Sequence, residues 1–345
     1  MDVLTSAFAS IASMEAHYLV KAKKSGLPYY EEFLQAAKFM HQALTRDEFE
    51  NWVQEKMLIK TKAFDEKTFI QYAVETSAVR YFGEKFPTNF QVEACINQTN
   101  NKNVDCRFED EGYSFNIEVK CSDFKSKEKI DARTGIKFGT IGRIPERQET
   151  IDKLVHLFQS TPLHTEELKE HHEMKNMDNN LKDFLILANE KFHPSSPDNE
   201  LNILVVGCGD AYDIQNWFYY LWAERGLFTK ESFTDKSYYE NVDMVILSNL
   251  YFKHNRFYEK QLSESWTMSN SFNLVFPNPL RKSDKRKAFF HFLNIFDHYS
   301  FQLEKYEVPG DSPAYVKNTQ RISYFIKEYL EKEKAIYLFE LPPKL

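Results

Sequence analysis

A chain of 345 residues exceeds one minimal domain and can bury a sizeable core, so its length favours about two compact units or one core with large additions. With 42% hydrophobic and 28% charged residues, and with 30 Phe and 19 Tyr supplying apolar area, the composition excludes a disordered chain. A formal net charge of −7 excludes a protein that coats nucleic acid through overall charge, but not a local basic groove.

Four cysteines without CxxC spacing, Cys95, Cys106, Cys121 and Cys208, suggest neither a disulfide framework nor a zinc site. No stretch approaches the ~18 apolar residues of a membrane span. An acid stands at position 2, where a secretory signal would place basic residues. The expectation is a cytoplasmic protein without membrane association.

Residues 1–62 read as a helical region, with Tyr30, Phe33, Leu34, Ala37 and Met40 at helical spacing. Residues 65–86 read as one helix whose apolar face carries Phe69, Tyr72, Ala73, Thr76, Val79 and Phe82 and which Pro87 ends. Glu75 lies in its middle. The hydrophobic period then changes from about 3.6 to 2, which predicts strands over 90–97, 104–109 and 113–120. Their short connections predict an antiparallel meander. A polar, basic stretch follows to position 147. A helical insertion at about 150–198 comes next, with a His- and Glu-rich segment at 165–180 that reads as solvated. Residues 201–206 and 242–247 are apolar runs suited to buried strands, with a helix at 211–224 between them. Residues 258–345 read as mainly helical, most clearly at 322–332. The organisation is thus a helical part at 1–62, an α/β core at 63–257 that includes the insertion, and a helical part at 258–345.

The hairpin at 104–120 concentrates the chemistry. If Glu111 and Gly112 form a two-residue turn, Asp105 falls opposite Glu118 and Cys106 opposite Ile117. Two carboxylates with Cβ atoms about 5 Å apart destabilise a sheet unless something positive lies between them. Alternation puts Val104, Cys106, Phe108, Phe115, Ile117 and Val119 on one face and displays Asp105, Glu118 and Lys120 on the other. A hard divalent cation prefers carboxylates, carbonyls and water, and binds substrate phosphate beside one or two protein carboxylates.

These residues, Val104-Asp105, twelve intervening positions and Glu118-Val119-Lys120, resemble the signature of the PD-(D/E)XK nuclease superfamily. The usual proline before the first acid is replaced by Val104. The preceding helix of that family often contributes a glutamate, which matches Glu75. The likeness covers roughly residues 65–150, with the strand at 201–206 as a further element. It implies a mixed-sheet, restriction-endonuclease-like core flanked by helices, and a Mg²⁺-dependent nuclease with Mn²⁺ as a substitute. On this resemblance Asp105, Glu118 and the Val119 carbonyl hold the metal. Glu75 holds a metal-bound water or a second ion, and Lys120 orients the attacking water and stabilises charge at phosphorus. The expected partner is DNA, restriction or phage defence is one setting, and a homodimer would suit double-strand cutting.

Lys125, Lys127, Lys129, Arg133, Lys137 and Arg143, interleaved with glycines, form either a loop suited to phosphate contacts beside the metal site or a simple solvated loop. A second basic run at 281–287 is either another such patch or an exposed helix start. The run 205–210, Val-Val-Gly-Cys-Gly-Asp, carries a rival reading as the first motif of an S-adenosylmethionine-dependent methyltransferase, with Asp243 on a later strand; the alternative is a tight strand-to-helix turn. His164, His171 and His172 read as surface residues. A further alternative is a catalytically silent protein that keeps the nuclease fold and uses it to bind nucleic acid or a partner.

Overall fold

The structure, a computed structural model, describes residues 15–59, 64–97, 99–100, 102–124, 132, 136–138, 147–160, 171–173, 177–194, 196–260, 264–311 and 313–339. The chain enters through α1 (Tyr18–Lys24), capped by His17, and α2 (Pro28–Ala43), which carries proline in its first turn. α3 (Arg46–Asn51) starts with a reciprocal capping box between Thr45 and Glu48 and runs into a π-helical turn, Trp52–Lys56. α4 (Glu66–Lys85) begins at Asp65, whose carboxylate accepts the Thr68 N–H, and coincides with the helix predicted around Glu75.

Three antiparallel strands follow, as the change of period predicts: β1 (Gln91–Asn97), β2 (Lys102–Asp110) and β3 (Tyr113–Cys121). Glu111 at φ 47° and Gly112 at φ 82° form the tight turn between β2 and β3. The register is the expected one, with Cys106 opposite Ile117. Next come β4 (Ile136–Phe138), α5 (Arg147–Ser160), β5 (His171–Glu173) and α6 (Met177–Lys191). β4 and β5 pair in parallel as a separate ribbon. The segment read as solvated at 165–180 therefore contributes a short strand and the first turn of a helix.

β6 (Glu200–Gly207) runs parallel to β3, α7 (Ala211–Trp222) follows, and β7 (Met244–Ser248) runs parallel to β6. α8 (Leu250–Lys260) leads to β8 (Asn273–Pro277), antiparallel to β7. The mixed six-stranded sheet has the order β1-β2-β3-β6-β7-β8. Its last strand is a finding that the helical reading of 258–345 does not contain: five residues ending in proline carry too little alternation to register as a strand. The rest of that region is helical, with α9 (Arg286–Ile295), α10 (Ser300–Lys305), α11 (Ala314–Tyr324) and a π-helical continuation, Phe325–Glu333.

Two cores sandwich the sheet. One unites the N-terminal helices, α4 and α8 with Cys106, Phe108, Phe115, Ile117 and Val119. The other unites α6, α7 and α11 with Leu204, Val206, Val245 and Leu247. The N-terminal helices are thus part of the first core. Among the described residues no helix is long and apolar enough to cross a membrane.

His17 anchors this first core and gives it a pH signature. Its Nδ1 accepts the Leu19 N–H and its Nε2 donates to the Met57 carbonyl, 3.1 Å away, so the buried ring is held neutral. Burial lowers its pKa to about 4, with the Met57 bond acting weakly the other way. The folded pKa lies below the unfolded value, so the contribution is complete above pH 6.5 and is lost as pH falls toward 4, at about 1.4 kcal/mol per pH unit. Glu75 and Glu118, described below, take up protons in the folded state over part of this range and act oppositely. The expected result is therefore a difference: urea unfolding from pH 4.5 to 7.5 should show a shallower rise of stability with pH in His17→Asn than in the native protein. Equal slopes would contradict it.

Candidate active site

Asp105, Glu118 and Lys120 come together where the hairpin opens. The ladder between β2 and β3 ends at Cys106–Ile117. Val104 packs in the second core whereas Cys106 and Phe108 pack in the first, so β2 turns over between Val104 and Cys106. This corrects the simple alternation read from the sequence. Asp105 lies at the turn and its Oδ2 accepts the Val119 N–H at 2.6 Å, a strong bond to a charged acceptor. Val119 therefore contributes its N–H to Asp105 here.

Glu118 differs most from expectation. Alternation predicts it displayed on an open face, yet it is 0% exposed. The C-terminal end of α6 covers it, and Lys191 at that end places Nζ 2.7 Å from Oε1 and 2.8 Å from Oε2. Lys120 Nζ lies 2.5 Å from the same Oε1. The end of α6 is itself fastened to the β1–β2 hairpin: Asn97 donates to the Glu190 and Phe192 carbonyls, Asn100 to the Glu190 carbonyl, and Lys102 pairs with the Glu190 carboxylate.

Glu75 reaches the same neighbourhood from α4. Lys56, at the end of the π-helical turn, lies 2.9 Å from Glu75 and 2.8 Å from Glu93 on β1. Glu93 adopts φ 51°, a left-handed backbone that is strained for a residue with a Cβ. Lys56, Glu93 and Lys191 were not legible as site residues, because each joins through contacts between distant segments. The only sequence signal is weak, namely that Lys191 ends a helical segment shortly before a buried strand.

The electrostatics bind these groups into one unit. Burial, then the Asp105 charge, pushes Glu75 up to about 7 against the pull of Lys56. Burial, then Asp105, likewise pushes Glu118 up to about 7, against Lys120 and Lys191. Burial opposes charge on Lys120 and Lys56, but their carboxylate partners outweigh it and raise both. Acids that repel one another in a poorly hydrated place are the kind of donors a hard cation satisfies. Among the described residues, no three or more His, Cys, Asp or Glu side chains converge as a ready-made metal group. Asp105 and Glu118 are the residues that could hold a divalent cation, and its entry would require Lys120 and Lys191 to move off the Glu118 carboxylate.

Other expected features fare differently. Lys125, Lys127, Lys129, Arg133 and Arg143 lie outside the described residues, as does His164. Lys137, His171 and His172 are described only as strand backbone. The basic run at 281–287 leads into the start of α9, with Lys282, Arg286 and Lys287 exposed and Lys285 alone buried. Lys285 is 3% exposed and pairs with Asp243 at 2.8 Å, Lys282 pairs with Glu240, and Arg286 pairs with Asp284. Asp243 is thus occupied structurally. The glycines of 207–209 serve packing: a Cβ on Gly207 would come within 2.9 Å of Val74 Cγ1, and one on Gly209 would strike the Asp213 carboxylate. Asp210 caps α7 through its own side chain, accepting from the Tyr212 and Asp213 N–H groups. These contacts are those of a tight strand-to-helix turn.

Geometry and fold define a mixed α/β protein with a buried acid–lysine cluster at the open end of a β-hairpin. Comparison with protein-family models, with curated proteins and with solved structures finds no match to this chain.

Proposed function

We propose that the chain is a Mg²⁺-dependent nuclease of the PD-(D/E)XK kind that hydrolyses DNA phosphodiesters. One observation carries the reading: Asp105, Glu118 and Lys120, the acid and acid-any-lysine elements, meet at the splayed end of adjacent strands with Glu75 electrostatically coupled to them. The order helix, three-stranded meander and later parallel strand supports it, with α4, β1 to β3 and β6 in that order and β4, α5, β5 and α6 between β3 and β6.

Asp105 and Glu118 would hold the cation, which when bound supplies Lewis acidity and an activated water. Asp105 is oriented for this by the Val119 N–H. Lys120 positions a positive charge where negative charge develops at phosphorus. Glu75, whose proton affinity burial and the Asp105 charge raise, would accept a proton on the α4 side of the cluster. The remote lysine Lys56 keeps Glu75 in place.

A second reading is favoured by the lysine partners of Glu75 and Glu118: a silent protein of the same fold, in which lysines permanently neutralise these two carboxylates and the surface binds nucleic acid. Incubating purified protein with plasmid and linear DNA in Mg²⁺, Mn²⁺ or EDTA separates the two. Metal-dependent cutting that falls by about 10²-fold or more in Lys120→Ala supports the nuclease. No cutting of single- or double-stranded DNA or of RNA would leave the silent protein.

A further inference from the structure

We infer that Lys191 is a second active-site lysine, which leaves Glu118 when a divalent cation binds and then holds the substrate phosphodiester beside Lys120. The inference rests on the nuclease reading and extends it to a residue outside the Asp105, Glu118 and Lys120 pattern.

A buried carboxylate needs one cation, and Lys120 already provides it at 2.5 Å. Lys191 nevertheless spans both oxygens of the same group. A counter-ion for the neighbouring acid would sit on Asp105, whose Oδ2 instead takes the Val119 N–H. With both acids ionised, the charges of Asp105 and Glu118 balance those of Lys120 and Lys191 among these four side chains. A divalent cation at the carboxylates leaves these four side chains with a surplus of two positive charges, which attracts an anion to the partly exposed ammonium groups. A phosphodiester supplies one at the position where cleavage requires it.

The fold keeps Lys191 ready for that exchange. The hydrogen bonds from Asn97 and Asn100 fasten the end of α6, so the Lys191 backbone stays in place while its flexible, 22% exposed side chain turns from Glu118 to the substrate. Metal loading and phosphate binding are thereby coupled through one side chain. The released ammonium cannot engage substrate until the cation has taken its place.

The full chain, Lys191→Met and Lys191→Arg are compared in two measurements: Mn²⁺ titration without DNA, followed by the free-ion paramagnetic resonance signal, and plasmid cleavage in Mg²⁺. Lys191→Met should bind Mn²⁺ about tenfold tighter, because the competing ammonium is gone, yet cleave about 10²-fold more slowly. Lys191→Arg should recover part of the cleavage. A folding defect moves Mn²⁺ binding the other way, so weaker binding by Lys191→Met overturns the inference in favour of a structural counter-ion. Cleavage by Lys191→Met at the native rate overturns it while the nuclease reading stands. A native chain that neither binds Mn²⁺ nor cuts overturns both.

Discussion

Glu118→Gln is expected to lower metal-dependent DNA cleavage by about 10³-fold while leaving the chain folded. The amide keeps the size and one acceptor oxygen of the carboxylate, so Lys120 and Lys191 retain a partner, and both are partly exposed and can reach water. What disappears is the anionic ligand: an amide oxygen binds a hard dication far more weakly than a carboxylate does. The matched control is Glu93→Gln. Glu93 shares only Lys56 with the cluster and is 43% exposed, so its loss should change cleavage by no more than a few-fold. Initial rates of plasmid nicking over a Mg²⁺ series test both. Glu118→Gln cutting at the native rate would make Glu118 a structural counter-ion and remove the core of the proposed function.

The largest expected effect on stability lies elsewhere, at the pair the sequence presents as a basic run and a strand acid. Asp243 and Lys285 are 4% and 3% exposed and 2.8 Å apart. Asp243 also accepts the Asn202 N–H at 2.8 Å, which ties β6 to the start of β7, and Lys285 Nζ reaches Ser196 Oγ at 2.5 Å. Asp243→Ala strands a buried ammonium with a single hydroxyl partner, at a cost of about 3–5 kcal/mol. Adding Lys285→Met removes the stranded charge, so the double variant should be more stable than Asp243→Ala alone. Urea unfolding reads both differences. A single-variant loss below about 1 kcal/mol would show that water reaches the pair. Cleavage per folded molecule should be unchanged, since neither residue contacts the Asp105–Glu118 cluster.

Local pattern carried much of this far. The period of Phe69, Tyr72, Ala73, Thr76 and Val79 marked α4, and Asp65 and Pro87 bracket it, because capping and the missing proline N–H act within a few residues. The alternation of Cys106, Phe108, Phe115 and Ile117, with the Glu111–Gly112 turn, determined the hairpin and its register, since side-chain period and turn length leave few choices. That register brought Asp105 to the end of the ladder beside Glu118 and Lys120, although the expected Asp105–Glu118 pair lies beyond the last paired residues.

Burial, partnership and charge state at the site were decided by tertiary structure. No pattern within β3 foretells that Glu118 is covered, because the cover is the end of a helix 73 positions away. Glu75 meets Lys56, and through it Glu93, only once α4, the π-helical turn and β1 are packed together. The turning of β2 after Val104, β8 at the sheet edge and the burial of Lys285 are likewise settled by which surfaces remain to be filled when the helices close over the sheet. Periodicity and turn chemistry are short-range and can be read along the chain. Desolvation and Coulomb coupling depend on neighbours brought from anywhere in it, so the sequence by itself determined the three-stranded meander and the order of the acids, and the packed molecule alone decided how those acids are held.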